Sequence, residues 1–411
     1  MIGRNRVSRE GNAVRPGVAR AALIRFQASR HEDMRTTFLE GRGIEMPAEV
    51  IVVTDRDDAG EALRDAVGRH FGCTVLRPGD GLVEWSDAFA LVVDMSLDVP
   101  ASVAYLRAVR GRSPAGTQVL VVMRADDRRG RVQAQSVGGS MFLHPDIEPP
   151  AVAARLLQLA VARGDGVDDR MRAAVLGAQA ACAALANIFE AANAGTRIDR
   201  QMVEAGTRTV LAAIEQGGIA NWLDAVRAYD DRIYQHSLMV AGLAAAFAST
   251  LGFPAADRLR LTRAALVHDV GKAKIPISIL RKAGRLEPYE VSIIRTHASL
   301  GHEMLKDAGI SDPAMLDVAR SHHERLDGSG YPEGLRGDEI GDFVRLVSVC
   351  DVYAALVAPR PPRPSYDIPA ALTELQREAA AGRLEGAIVA MFARTFAPEP
   401  RPEIAPSPGP R

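Results

Sequence analysis

Between Val50 and Leu143 short apolar runs alternate with amphipathic stretches. The runs are Val50–Val53, Ala90–Asp94, Gln118–Val122 and Ser140–Leu143, while Asp58–Phe71 and Ala101–Arg110 have helical character. That order predicts a parallel α/β domain. From Ala151 to Tyr229 the chain becomes alanine-rich with helical period, placing Met171, Val175, Leu185 and Ile188 on roughly one side, with breaks at Gly164–Gly166 and Ala194–Gly195. This stretch reads as a rigid connector, as a helix through which two copies dimerise, or simply as the first helices of the next domain. A helix starting near Asp231 puts His236, Val240, Leu243 and Phe247 on one face, and a second apolar helix aligns Leu261, Ala265 and His268. Val344–Leu356 is a helix of apolar character, and the amphipathic segments Ala370–Ala380 and Ile388–Phe396 complete a helical bundle.

The ends behave differently. Residues 1–48 carry many arginines and little periodicity, which predicts a disordered or partly helical extension, and Met34 and Met46 are alternative starts. The segment has no apolar core of the signal-peptide kind. The tail, 397–411, is proline-rich and expected to be disordered. The expected organisation is an extension (1–48), an α/β domain (49–163), a helical connector (164–199), an all-α bundle (200–396) and the tail.

Composition narrows the partners. The chain has 411 residues, a formal charge of -1 and 47% hydrophobic residues, enough for two or three packed domains. No polybasic footprint points to nucleic acid or to an anionic membrane. No long uncharged apolar stretch is read as a membrane span. Cys73, Cys182 and Cys350 are odd in number and widely spaced, which suits a reducing, cytoplasmic compartment rather than a disulfide framework. Of 50 basic residues only Lys272, Lys274, Lys282 and Lys306 are lysines, and all follow shortly after His268-Asp269. Genome composition explains the arginines; the lysine at 272 also suits a site that needs a compact ammonium.

Chemistry concentrates between His236 and Asp351. Six of nine histidines, His236, His268, His297, His302, His322 and His323, fall there. A lone histidine on an apolar helix face is more often a core residue than a ligand. Imidazoles gathered with carboxylates and no cysteine cluster suit iron, manganese or zinc. His268-Asp269 closes a helix before Gly271, where the backbone is expected to turn sharply, so neighbouring donors point apart and Asp269 is placed to bridge two ions. His236, His268, Asp269, His297, His322, His323 and Asp351 make seven nitrogen and oxygen donors, enough for two ions with open positions. Two ions about 3.5–4 Å apart are a standard device for hydrolysing phosphoesters. The bland alternative is a set of structural histidines.

The residues His268-Asp269-Val-Gly271-Lys272, Ile275-Pro276, His297, Gly301, His322-His323-Glu324, Asp327-Gly-Ser-Gly330-Tyr331-Pro332, Gly334, Arg345 and Asp351 carry a specific resemblance. About residues 200–395 resemble an HD-GYP domain, a helical class that hydrolyses the bacterial second messenger cyclic di-GMP. The resemblance implies two divalent ions, iron or manganese, on the seven donors. It also implies a catalytic role for Asp269 and Lys272, the latter at the scissile phosphate. Gly330, Tyr331 and Pro332 then shape the loop beside the site, and Arg345, Arg360 and Arg363 bind substrate. The implied activity is ring opening of cyclic di-GMP to linear pGpG, continuation to GMP being left open. Three positions depart from the family. Arg232 stands where some members hold a third metal, Ala354 replaces an Asp that would face Asp351, and Pro362 replaces a Tyr. Loss of such a partner of a ligand costs about 10–100-fold in affinity or activity. The alternative is therefore a weakened module that binds metal or nucleotide and signals through protein contacts.

The α/β segment resembles a response-regulator receiver, a flavodoxin-like fold, with Asp94 at the phosphoacceptor position. Arg56, Met123 and His144 depart from that family's acidic pair, Ser/Thr and Lys positions. Arginine at a magnesium-ligand position disfavours the cation that phosphotransfer needs. The expected domain is therefore a degenerate receiver used for contacts with signalling proteins or for homodimerisation, with Asp94 as a working phosphoacceptor the alternative.

Overall fold

The computed structural model describes residues 48–397, except 83–84, 86, 125–127, 165, 230, 283 and 359–364. The extension 1–47, Arg360, Pro362, Arg363 and the tail from 398 onward lie outside the described residues.

The first domain is a five-stranded parallel sheet of β1 (Glu49–Thr54), β2 (Gly72–Leu76), β3 (Ala88–Asp94), β4 (Gln118–Val122) and β5 (Met141–Leu143), in the order β2-β1-β3-β4-β5. That order is the flavodoxin-like one. The apolar runs fold as strands because successive side chains enter two separate cores. Val50, Val52, Ala90, Val92 and Leu120 join the layer of α1 (Asp57–Val67) and α4 (Pro149–Arg163). Ile51, Val53, Leu91, Val93 and Val121 meet α2 (Pro100–Gly111) and α3 (Arg128–Ser136) on the other face. β2 was not legible as an apolar run. It lies at the sheet edge and is only partly buried, so Gly72-Cys-Thr-Val-Leu76 mixes polar and apolar positions.

The second domain is helical. It contains α5 (Asp169–Ala194), α6 (Arg200–Gly217), α7 (Ile219–Val226), α8 (Arg232–Thr250), α9 (Ala255–Val267), a 3-10 turn Val270–Lys274, the short α10 (Ile277–Leu280), α11 (Pro288–Asp307), α12 (Pro313–Ser321), α13 (Asp342–Val357), α14 (Ile368–Ala380) and α15 (Gly386–Phe396). Gly164 and Gly195 end α4 and α5 with φ of 80° and 72°, left-handed positions that favour glycine. α5 is long and apolar enough to cross a membrane by length and composition. In the fold it is a core helix, with Met171, Val175, Leu185 and Ile188 all buried. α4 carries the core of the sheet domain into the bundle, and His70 Nε2 meets Asp224 Oδ2 of α7 at 3.4 Å across the junction.

Candidate metal centre and loop

Five backbone segments converge to build the site. Asp231 caps α8 by accepting the amides of Ile233 and Tyr234, which sets His236 in the second turn. α9 stops at Val267, leaving His268 as its cap and Asp269 at the start of the 3-10 turn. α11 supplies His297, the end of α12 supplies His322 and His323, and α13 supplies Asp351.

Distances gather all seven predicted donors. His236 Nε2 lies 2.9 Å from Asp351 Oδ1 and 3.8 Å from Asp269 Oδ2. His268 Nε2 is 3.4 Å from Asp269 Oδ2, and His297 Nε2 and His322 Nε2 are 3.2 and 3.7 Å from Asp269 Oδ1. His323 Nδ1 is 3.8 Å from Asp351 Oδ2. Two groups result, Asp269 with His297, His322 and His323, and His236 with His268 and Asp269. Asp269 belongs to both.

The imidazoles are oriented from behind. Nδ1 of His268, His297 and His322 donates to the carbonyls of Ala265, Ile294 and Val318 at 2.7, 2.6 and 2.9 Å. That fixes the tautomer and leaves the Nε2 lone pairs facing the cluster. His268 Nε2 and Asp269 Oδ1 are buried without a hydrogen-bond partner, an arrangement that is costly unless an external group takes them. Burial lowers His322 to about 4 and pushes His323 well down, His322 adding to the effect. Burial alone would raise Asp269, but Lys272 and His268 outweigh it and hold the carboxyl well below the usual range. Burial is likewise overcome at Asp351, by His236 and His323. Burial would lower His268 too, but Asp269 outweighs it and raises it. Imidazoles gathered around ionised carboxylates are the donor chemistry of a divalent-cation site, and the residues fit such an ion.

Gly271 corrects one expectation. Its φ is not positive, so no left-handed turn explains it. A Cβ there would lie 1.9 Å from the His297 carbonyl oxygen and 2.6 Å from Gly301 N. The two glycines let the 3-10 turn press directly onto α11, which brings Asp269 to His297.

Other predicted residues fall around the cluster or away from it. Lys272 Nζ is 2.5 Å from Asp269 Oδ2. The Tyr331 ring stacks on His323, with centroids 4.7 Å apart and planes 28° apart, and the Tyr331-Pro332 bond is cis. Gly330 packs so closely that a Cβ would be 2.4 Å from Glu324 Cα. Arg345 is not brought to the cluster by any hydrogen bond or ion pair. Its guanidinium binds Ile340 O, Gly337 O and Glu385. His302 donates to Leu316 O at 3.2 Å, tying α11 to α12. Arg232 is exposed, and Ala354 is fully buried in the core.

Two residues escaped the sequence reading. The Arg295 guanidinium lies 4.9 Å over the Tyr331 ring; its place two residues before His297 was a usable signal. Glu324, in sequence only the residue after His322-His323, is 2% exposed and accepts three backbone amides from the loop.

In the sheet domain Asp94 is 1% exposed and clamped by Arg56 Nη2 at 2.8 and 2.7 Å from its two oxygens. Arg124 binds Asp55 and the Asp94 carbonyl oxygen. The acidic pair is thus met by two guanidinium groups.

The helical half is, by fold and site, a bundle around a buried histidine–aspartate cluster suited to divalent cations. A family model described as HD domain matches residues 222–388. Over 210 residues the chain is 32% identical to a cyclic di-GMP phosphodiesterase of Pseudomonas aeruginosa, covering 51% of each. It is 38% identical over 141 residues to a 3'3'-cGAMP-specific phosphodiesterase of Vibrio cholerae (34% of this chain, 30% of the relative). It is 40% identical over 139 residues to a cyclic di-GMP phosphodiesterase response regulator of Xanthomonas campestris pv. campestris (33% and 35%). The chain therefore spans at most about half the length of these curated relatives.

Proposed function

We propose that the helical domain is a metal-dependent phosphodiesterase that opens cyclic di-GMP to linear pGpG. The observation that carries this reading is the sharing of Asp269 between two groups of buried donors, which favours two ions, iron or manganese. Ions bound there would supply Lewis acidity toward a phosphoryl oxygen and a water of lowered pKa. The chain's own residues do the rest. Asp269 joins the donor groups, and Asp351 completes the set beside His236 and His323. Lys272, 18% exposed next to Asp269, offers an ammonium to the negative charge that develops on phosphorus. Hydrolysis forms a bond from water oxygen to phosphorus and breaks the P–O3′ bond, and the departing O3′ takes a proton. Gly330, Tyr331 and Pro332 wall the site, and Arg360 and Arg363 are assigned to substrate from the sequence. The relatives' names support a cyclic dinucleotide as substrate, and 3'3'-cGAMP is the direct competitor to assay.

The test is His268→Ala, which should remove bound metal and turnover together. Full activity in that variant would refute the mechanism. A second reading, a binding module that signals through contacts, is favoured by one observation. Ala354 is buried among apolar side chains one turn from Asp351 and gives that carboxylate no partner. Activity created in an inactive wild type by Ala354→Asp with Pro362→Tyr would support drift from an enzyme. The sheet domain is proposed as a receiver-like module that works through contacts with signalling proteins or a second copy rather than phosphotransfer, since Arg56 occupies Asp94.

A further inference from the structure

We propose that Glu324 is the positioning residue that holds the substrate-facing wall of Tyr331 against the cluster, an inference that rests on the phosphodiesterase reading. Glu324 directly follows His322 and His323, and its carboxylate is buried. Oε1 accepts Glu333 N at 2.7 Å and Gly334 N at 3.1 Å, and Oε2 accepts Leu335 N at 3.0 Å. No cation pairs with it among the described residues. Three successive amides converging on one anion make a backbone nest, and that satisfies a carboxylate whose burial would otherwise be costly.

The loop is stitched to the same turn on its other side. Gly330 lies against the Glu324 backbone too closely for any side chain, and Tyr331 N donates to His323 O at 3.4 Å. Tyr331 sits between these two anchors. Its ring rests on His323, and Arg295 from α11 lies over the ring. Arg295 is exposed and has no carboxylate partner among the described residues, so the wall presents a cation beside the donors, where a phosphate or a base edge arrives. Among the described residues the Glu324 carboxylate hydrogen-bonds the loop amides and not the donor side chains, Tyr331 or Arg295. It fixes the loop to the turn that carries two of the ligands, so wall and ligands stay in register.

Glutamine tests this without changing size. One acceptor oxygen remains in Glu324→Gln, while the new amide NH2 confronts at least one loop N–H. In manganese-loaded full-length protein turning over cyclic di-GMP, KM should rise about tenfold with kcat within about twofold, as expected for a lost charge-assisted hydrogen bond acting on binding. Bound metal should stay at the wild-type count. Adding Tyr331→Ala should cost no more than Tyr331→Ala alone, because Glu324 acts through that side chain. Additive losses, or loss of metal together with kcat, would overturn the proposal by making Glu324 a general scaffold. If the wild type turns over no cyclic di-GMP, the phosphodiesterase reading fails separately, and hydrogen exchange of the metal-loaded protein decides instead. Faster exchange at residues 333–335 in Glu324→Gln with metal retained supports the anchor; unchanged exchange overturns it.

Discussion

Replacing Gly271 by alanine asks whether the site depends on backbone contact between the 3-10 turn and α11. The new Cβ would meet His297 O at 1.9 Å, Gly301 N at 2.6 Å and His297 C at 2.8 Å, all backbone atoms that cannot rotate away. Ordinary van der Waals contact begins at 3.4 Å, so turn and helix must part by about 1.5 Å, the order of displacement that overpacked cores resist. His297 Nε2 is 3.2 Å from Asp269 Oδ1 and 3.3 Å from His322 Nε2. Metal–ligand distances tolerate only about 0.2 Å, so a shift of that size takes His297 out of a shared coordination. Overpacking should cost about 3 kcal/mol, which exceeds the gain of about 0.4–1 kcal/mol from a stiffer unfolded chain. In a domain of this size that is a fall in Tm of roughly 5–10 °C, with metal affinity down at least about tenfold. Gly301→Ala is the control. Its Cβ would meet Gly271 N at 3.2 Å, so a shift of a few tenths of an ångström suffices and metal should be kept. Calorimetric melting and metal analysis on both variants decide it. Gly271→Ala with wild-type Tm and metal content would refute the close-approach argument.

Arg295→Ala should raise KM for cyclic di-GMP about three- to tenfold with little change in kcat, because an exposed cation over an aromatic ring contributes modestly; unchanged KM would remove Arg295 from the substrate surface. Asp312 accepts two hydrogen bonds from Arg260 at 2.8 and 2.7 Å and caps α12, and although burial alone would raise its carboxyl, Arg260 outweighs it and lowers it. A depressed folded-state pKa stabilises above the unfolded value of about 3.9 and is lost as pH falls below it. Asp312→Asn should therefore lower Tm at pH 7, and the difference should shrink below about pH 4; a difference that persists in acid would contradict the ion pair. Incubation with acetyl phosphate and Mg2+ should leave Asp94 unmodified, since Arg56 and Arg124 fill its surroundings; stoichiometric addition of one phosphoryl group by mass spectrometry would contradict the clamp.

What could be read from the sequence were local patterns. Val50–Val53 and Ala90–Asp94 announce buried strands because every position in them is apolar or at a strand end, and His236 on an apolar helix face announces an inward imidazole. The motif order from His268 to Asp351, with His236 before it, pointed to the seven groups; His268, Asp269, His322 and His323 sit at helix ends, while His297 and Asp351 lie mid-helix. Contacts between segments distant in sequence were not readable. Gly271 looked like a turn residue, whereas its role is set by Gly301, thirty positions later. Glu324 looked like the third letter of a motif, and only the fold shows the three amides around it. Arg345 carried a substrate role by resemblance, yet its guanidinium is engaged by Gly337, Ile340 and Glu385. Arg56 was legible in sign, as a cation at an acidic position, but not as a two-pronged clamp.

The central proposal is that the shared-aspartate cluster serves a cyclic dinucleotide phosphodiesterase activity. Its most direct test is turnover of cyclic di-GMP by anaerobically purified protein loaded with iron or manganese, with bound metal counted in the same sample. Two ions and linear pGpG are the predicted result. Two ions without product would contradict the enzymatic reading in favour of a binding module, and no bound metal would contradict the metal centre itself.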